Sequence, residues 1–193
     1  MLERSGVPAP SMAASPLQFA TIDLPRHQDL CIAFRRDSYI VSFGDDRIFN
    51  EENGADGSGY VEWLADRIAR FPEGHVHVWR GADIIGQLEI IVSPSSGYVN
   101  LFYLKPEERG YGHGSALHEY AVALFQRHRV RVAGLSVSPT NQRALRYYAR
   151  HGWRDLGPRA GASHVHDMAL LVPSSTDSSS GSSGVPGEPG SMR

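Results

Sequence analysis

Gly110, Gly112 and Gly114 alternate with Tyr111, His113 and Ser115, directly after Arg109. The next apolar residues, Leu117, Tyr120, Ala121 and Leu124, recur at helical spacing. The chemistry open to such a stretch is anion binding. Alternate glycines let a ligand approach the backbone N–H groups closely. The first turn of a helix leaves its N–H groups unpaired and carries about half a positive charge. Together these hold phosphate, so Gly110 to Ser115 are read as a phosphate or pyrophosphate site. The N–H of His113 belongs to it, while its side chain is expected to point outward. Upstream, Leu101 to Leu104 has strand character, and Pro106, which lacks an N–H, ends the pairing.

Spacing narrows the choice of phosphate. The dinucleotide fingerprint needs G-x-G-x-x-G and an acidic residue about twenty positions on, whereas Val130 and Arg131 stand there. The NTPase P-loop needs a lysine that this loop lacks. What remains is R-x-x-G-x-G, made by Arg109, Gly112 and Gly114, with an ordinary strand-to-helix turn as the alternative. A second informative stretch is Leu135 to Trp153. Ser138 or Thr140 can cap a helix there, with Pro139 or Asn141 in its first turn and Gly152 as its stop. At 100° per residue, Asn141, Ala144, Leu145 and Tyr148 share one face. Tyr147 points about a quarter-turn away and is assigned to core packing.

Arg109, Gly112 and Gly114 resemble the pyrophosphate loop of the GNAT acyltransferases, which hold acetyl-CoA there. Asn141, Ala144, Tyr147-Tyr148 and Gly152-Trp153 resemble the motif that follows it in that family, in the right order, with one helix and one strand between. The match covers about Tyr98 to Trp153. It implies an α/β (α+β) fold with a mixed, mostly antiparallel sheet, helices on both faces, and a parallel strand pair that splays apart. The pantetheine arm would lie in that wedge against the backbone of Phe102, Tyr103 and Leu104, with Asn141 hydrogen-bonding the arm. The pyrophosphate would sit on Gly110, Tyr111, Gly112, His113, Gly114 and Ser115, with Arg109 setting the loop. Tyr148 would be the general acid.

The implied activity is N-acetyl transfer from acetyl-CoA to a primary amine, by direct attack and without a covalent enzyme intermediate. Family members carry a glutamate base on either of two strands, but Asn100, Ser136 and Ser138 occupy those places here. Glu89, one strand earlier, is the candidate base acting through a water. The alternative for Glu89 is an exposed strand residue. The alternative for the whole protein is a non-catalytic acyl-CoA-binding or sensor module.

The chain has 193 residues and a net charge of −2, with a pI near 6.5. One domain is expected, with neither a nucleic-acid nor a membrane partner. The expected partner is the amine acceptor, a small molecule or a protein, and a homodimer is left open. The single cysteine, Cys31, excludes an internal disulfide and fits a reducing, cytoplasmic compartment. It is read as a core residue. His75 with His77, and His164 with His166, share strand faces. Neither pair has a third ligand at metal spacing, so no metal is expected and these histidines are read as facing solvent.

Residues 1–18 are rich in Ser, Pro and Ala and residues 174–193 in Ser, Gly and Pro; both are expected to be disordered, leaving 19–173 as the folded domain. Inside it, the patterns predict a strand from Phe19, a helix to Phe43, and a long loop from Gly44 to Gly59. That loop holds Asp45, Asp46, Glu51, Glu52 and Asp56 against Arg47. The resemblance puts it beside the acceptor, which implies a bias toward cationic amines. A second helix ending before Pro72 follows, then an antiparallel meander of His75 to Trp79, Ile84 to Val92 and Tyr98 to Leu104. Gly86 in mid-strand marks a bulge or a close backbone approach. The glycine-loop helix, a strand over Val132 to Val137 and the Tyr148 helix come next. A hairpin of Trp153 to Leu156 and Val165 to Leu171 closes the chain.

Overall fold

The computed structural model describes residues 16–94 and 96–174. The expected disorder of 1–18 and 174–193 therefore falls almost wholly outside the described residues. Leu17 and Gln18 already belong to the first strand.

Among the described residues the chain runs β1 (Leu17–Thr21), α1 (Leu24–Phe43), α2 (Arg47–Asn53), α3 (Ser58–Arg70), β2 (His75–Arg80), β3 (Asp83–Val92) and β4 (Gly97–Leu104). It continues through α4 (His113–Arg127), β5 (Val132–Val137), α5 (Gln142–Arg150), β6 (Arg154–Arg159) and β7 (Ala162–Leu171). The strands form one sheet in the order β1-β2-β3-β4-β5-β7-β6. Every neighbouring pair is antiparallel except β4 and β5. No helix among the described residues is long and apolar enough to cross a membrane.

Both faces of the sheet are covered, as the alternation along its strands requires. Leu117, Ala121, Leu124 and Phe125 of α4 pack on Val76, Val78, Ile85, Leu88 and Ile90, with Ala144, Leu145 and Tyr148 of α5 at the margin. On the opposite face, Phe34 of α1 packs on Ile84, Leu101 and Tyr103. Cys31 is fully buried there beside Leu64 and Phe49. Burial pushes its thiol up to about 12, with Glu89 adding to the shift, so it is inert packing rather than a nucleophile.

Two expectations change. The segment Gly44 to Gly59 is not all loop. Phe49 is fully buried against the rings of Tyr39 and Tyr60, at 5.7 and 6.2 Å between centroids, and nucleates α2. With seven residues and one buried anchor, α2 is too short to show a helical period. His75 and His77 do not face solvent either. Each is 1% exposed, on the face covered by α1 and α3. Nδ1–H of His75 donates to the Phe71 carbonyl at 3.0 Å, and His77 Nε2 lies 3.5 Å from Cys31 Sγ. Among the described residues no group of three or more His, Cys, Asp and Glu is placed to hold a metal.

Gly86 combines both of its readings. The β2–β3 register skips Ile85 between the pairs Val78↔Gly86 and Trp79↔Ile84, a bulge. A Cβ on Gly86 would also stand 2.4 Å from the Tyr103 carbonyl oxygen.

Candidate active site

The site begins where β4 leaves β5. These strands pair at Gly97↔Ala133, Tyr98↔Gly134 and Val99↔Leu135, and then stop. β4 continues to Leu104 and β5 to Val137, so a wedge opens between them. Asn100 marks its tip. The β3–β4 register passes from Ile90↔Val99 to Glu89↔Leu101, leaving Asn100 as an extra residue in a bulge.

Beyond the bulge the backbone alternates. The Tyr103 carbonyl lies against Gly86 of β3, and Lys105 N–H donates to the Ile85 carbonyl at 2.9 Å. Phe102 and Leu104 therefore turn their backbone groups the other way, into the wedge. Of the three residues assigned there, Tyr103 keeps its backbone toward β3. Its hydroxyl donates to Asp37 at 2.8 Å. Buried backbone groups need partners. The Leu104 carbonyl has one in Arg109 Nε, at 2.7 Å.

Arg109 is thus folded back beneath the loop it precedes. Its guanidinium also reaches Asp37 at 3.3 Å and lies 5.5 Å from the centre of the Tyr103 ring. The glycines divide the work. Gly110 and Gly112 take φ values of 97° and 86°, and a Cβ on either would meet no protein atom within 4 Å. Such positions favour glycine and leave the space above them free. Gly114 is helical, and a Cβ there would stand 2.9 Å from the Tyr147 ring. The N–H groups of residues 110–114 have no acceptor among the described residues, whereas Ser115 N–H bonds back to the Gly112 carbonyl at 3.0 Å. The His113 side chain turns inward, contrary to expectation. Its Nε2 is 3.5 Å from Glu108, which Arg80 also pairs at 2.8 Å. Glu108 is itself buried, and its carboxylate lies beside the imidazole.

α5 supplies the opposite wall. Asn141 itself is the cap: its side-chain oxygen accepts from Ala144 N–H at 3.1 Å, a role expected of Ser138 or Thr140. Those two hydroxyls bond each other at 2.8 Å instead, and Thr140 donates to the Ser42 carbonyl at the end of α1.

The adjacent tyrosines do different things. Tyr147 donates its hydroxyl to the Gly114 carbonyl at 2.6 Å. The Tyr148 ring stands 6.2 Å from Phe102 and 5.9 Å from Trp153, and its hydroxyl has no protein partner among the described residues. Six of the eight tyrosines, Tyr39, Tyr60, Tyr98, Tyr103, Tyr120 and Tyr147, donate to protein acceptors. Of the other two, Tyr111 is 75% exposed, so Tyr148 is the one inside the fold with an unspent phenol. Burial, and the Tyr98 phenol nearby, hold its pKa above the ordinary value.

Glu89 is 0% exposed, which overturns its reading as a solvent-facing strand residue. Oε1 accepts from Tyr60 at 2.5 Å and Gln87 at 2.9 Å, and Oε2 accepts from Asn100 at 2.7 Å. Arg35 stands 3.7 Å away and donates to the Asn100 carbonyl at 2.8 Å. Burial and the neighbouring Glu89 carboxylate push the Tyr60 phenol well above its usual range. Sequence reasoning missed Arg35 and Tyr60. Nothing in their helical spacing separates them from ordinary amphipathic positions.

Beside this cluster, on β4, β5 and β7, Tyr98 donates to Ser136 at 2.9 Å, Ser136 to Asp167 at 2.9 Å, and Arg159 to Asp167 at 2.9 Å. The acidic residues of the α1–α3 segment are largely committed locally. Asp46 pairs with Arg36 at 3.2 Å, Glu52 accepts from Tyr39 at 2.7 Å, and Asp45 accepts from Arg47 N–H at 3.1 Å.

Known proteins share this architecture. No curated protein sequence matches the chain. Among solved structures, the PaiA N-acetyltransferase of Thermoplasma acidophilum in complex with coenzyme A superposes with a TM-score of 0.66 at 15% identity, over 81% of this chain and 99% of that one. The NatC complex bound to Gag peptide and CoA gives 0.59 at 15% identity, over 81% and 99%. Naa20 of Chaetomium thermophilum with a bisubstrate analogue gives 0.53 at 17% identity, over 66% and 82%. These likenesses establish the fold. The sequence profile of the acetyltransferase (GNAT) family matches residues 35–153, more than half of the chain and all of the wedge, and the chain belongs to that family.

Proposed function

We propose that the protein transfers the acetyl group of acetyl-CoA to a primary amine by direct attack within a ternary complex. The observation that carries this reading is the unspent phenol of Tyr148 facing Phe102 at the wedge, next to backbone N–H groups with no acceptor at residues 110–114. In the step proposed, the amine nitrogen adds to the thioester carbonyl carbon. The C–S bond then breaks, and the leaving thiolate takes the Tyr148 proton. An unperturbed alkyl ammonium titrates near 10.4, so the amine must shed a proton before it attacks. A phenol held above its usual pKa stays protonated at neutral pH and can still donate to a forming thiolate.

In this reading the loop N–H groups bind the pyrophosphate, and the Phe102 and Leu104 backbone lines the pantetheine arm. Asn141 presents its side-chain amide to that arm while its oxygen caps α5. Glu89 was the sequence candidate for the base. Both of its oxygens already accept from protein donors, which favours a holding role on Asn100, with the amine proton leaving to water.

Free thiol released on incubation with acetyl-CoA and a panel of amines tests the proposal. Turnover on at least one amine is expected. CoA binding with no turnover on any amine would instead make the protein a non-catalytic acyl-CoA-binding module.

A further inference from the structure

From Tyr120 through Arg154 the chain holds seven arginines and no Asp or Glu, in a protein whose net charge is −2. Three of them, Arg143, Arg146 and Arg150, lie exposed on α5. None of the three has an ion-pair partner among the described residues. Like charges three and four apart on a helix repel one another. A bound anion would relieve that repulsion.

The position of the stripe says which anion. At 100° per residue, Arg143 and Arg150 fall within about 60° of Tyr147. Tyr147 ties α5 to the glycine loop, through its hydroxyl on the Gly114 carbonyl and its ring against the space where a Gly114 Cβ would be. One turn on, His151 Nδ1–H donates to the Tyr147 carbonyl at 2.8 Å, which leaves Nε2 to accept from the Ser115 hydroxyl at 3.4 Å. The loop's nearer cations are already used, Arg109 on Leu104 and Asp37, and Arg80 on Glu108.

We propose that Arg143, Arg146 and Arg150 form a second phosphate subsite beside the glycine loop, which takes the 3′-phosphate of CoA. The inference rests on the reading that acyl-CoA binds at the loop. CoA carries two anionic centres, the pyrophosphate and a phosphate monoester on the neighbouring ribose. The loop N–H groups suit the first. The second carries about −1.5 to −2 charge at pH 7 and suits guanidinium forks. The subsite makes the protein selective for CoA over its 3′-dephospho form.

Calorimetric titration of the full chain with CoA and with 3′-dephospho-CoA tests this. The wild type is expected to bind CoA tighter by about tenfold or more, the worth of one good charge-assisted hydrogen bond. Arg143→Gln/Arg146→Gln/Arg150→Gln should bring that ratio close to one while dephospho-CoA affinity stays unchanged. Arg129→Gln/Arg131→Gln removes charge past the far end of α4, about 22 Å along its axis, and should keep the ratio. Equal affinities in the wild type, or an unaltered ratio in the α5 variant, would overturn the subsite and leave the stripe to an acidic macromolecule. Failure of both ligands to bind the wild type would overturn the acyl-CoA reading and the subsite with it.

Discussion

Glu89 holds Asn100 at the point where the sheet opens. The Asn100 side-chain amide donates to Glu89 Oε2 at 2.7 Å, and Arg35 takes the Asn100 carbonyl at 2.8 Å, so the bulge residue is gripped at both ends. β4 and β5 part immediately before it, at Val99↔Leu135. A buried carboxylate with these donors is an anchor for the wedge. Glu89→Gln leaves Arg35 without its counter-charge, and breaking such a buried pair costs about 3 kcal/mol or more. The expected outcome is a lower melting temperature and a raised KM for acetyl-CoA, with the shape of the pH–rate profile retained. Loss of the acid limb in that variant would restore Glu89 as the base.

Gly112 offers a cleaner test of the proposed phosphate loop. Its φ of 86° strains any residue with a Cβ, yet that Cβ would touch no protein atom. Gly81, in the turn between β2 and β3, shares both properties, with φ of 61°. Each valine variant should lose stability by a similar amount, about 1–2 kcal/mol. Only Gly112→Val should also weaken CoA binding, by tenfold or more. Matching CoA affinities for the two variants would remove the loop from the site.

The parts of this molecule that were legible in the sequence are those with a long period or a backbone requirement. The strand–glycine–helix stretch, the meander and the α5 motif all carried such signals, and Gly86 announced its close approach to Tyr103. What stayed hidden depends on contacts between distant elements. His75, His77 and Glu89 alternate along strands as solvent-facing residues would, and only the placement of α1 and α3 over that face buries them. The inward turn of His113 follows from Glu108 five residues earlier, a pairing set by the turn at Pro106–Glu108. The helix at Phe49 exists because Tyr39 and Tyr60 converge on one ring.

His77 makes stability depend on pH. Burial, and then the neighbouring His27, lower its pKa to about 4, with Gln87 opposing, against roughly 6.5 in an unfolded chain. The unfolded state therefore takes up the proton first as pH falls. Stability from this group is full above pH 6.5, declines between about 6.5 and 4, and changes no further below that. Melting temperatures measured from pH 7 to pH 4 should fall, and His77→Gln should flatten the slope. Parallel curves for the two proteins would show that another group governs the acid limb.

The acidic segment gives a prediction about the acceptor. Asp45, Asp46, Glu51 and Glu52 crowd α2 and its start, which follows α1 where Ser42 meets Thr140 and Phe43 meets His164 at 5.7 Å. A one-sign field beside a cleft steers ligands of the opposite sign. Replacing Asp45 and Glu51, which make no ion pair among the described residues, with Asn and Gln should raise KM for a polycationic amine and flatten its salt dependence. A neutral amine serves as the control. The idea fails if both acceptors respond alike.

In the proposed mechanism, Tyr148 and Tyr147 separate chemistry from packing within one dipeptide. Their ring centroids are 5.3 Å apart and both touch Phe102, at 6.2 and 6.4 Å. They differ in what the hydroxyl does. Tyr147 spends its proton on the Gly114 carbonyl and so braces α5 against the start of α4. Tyr148 spends its proton on nothing among the described residues, and burial keeps it protonated across the neutral range. Removing one oxygen from each should give opposite signatures. Tyr148→Phe should lower kcat by about 10²-fold or more, the usual worth of a positioned general acid, with CoA affinity and melting temperature intact. Tyr147→Phe should remove the tie between α5 and the Gly114 carbonyl, lower the melting temperature by the equivalent of about 1 kcal/mol, and keep kcat. The pH–rate profile adds a further check, since any fall in rate where the Tyr148 phenol ionises should be missing from Tyr148→Phe. Wild-type kcat in Tyr148→Phe at saturating substrate would falsify the assignment and leave solvent as the acid.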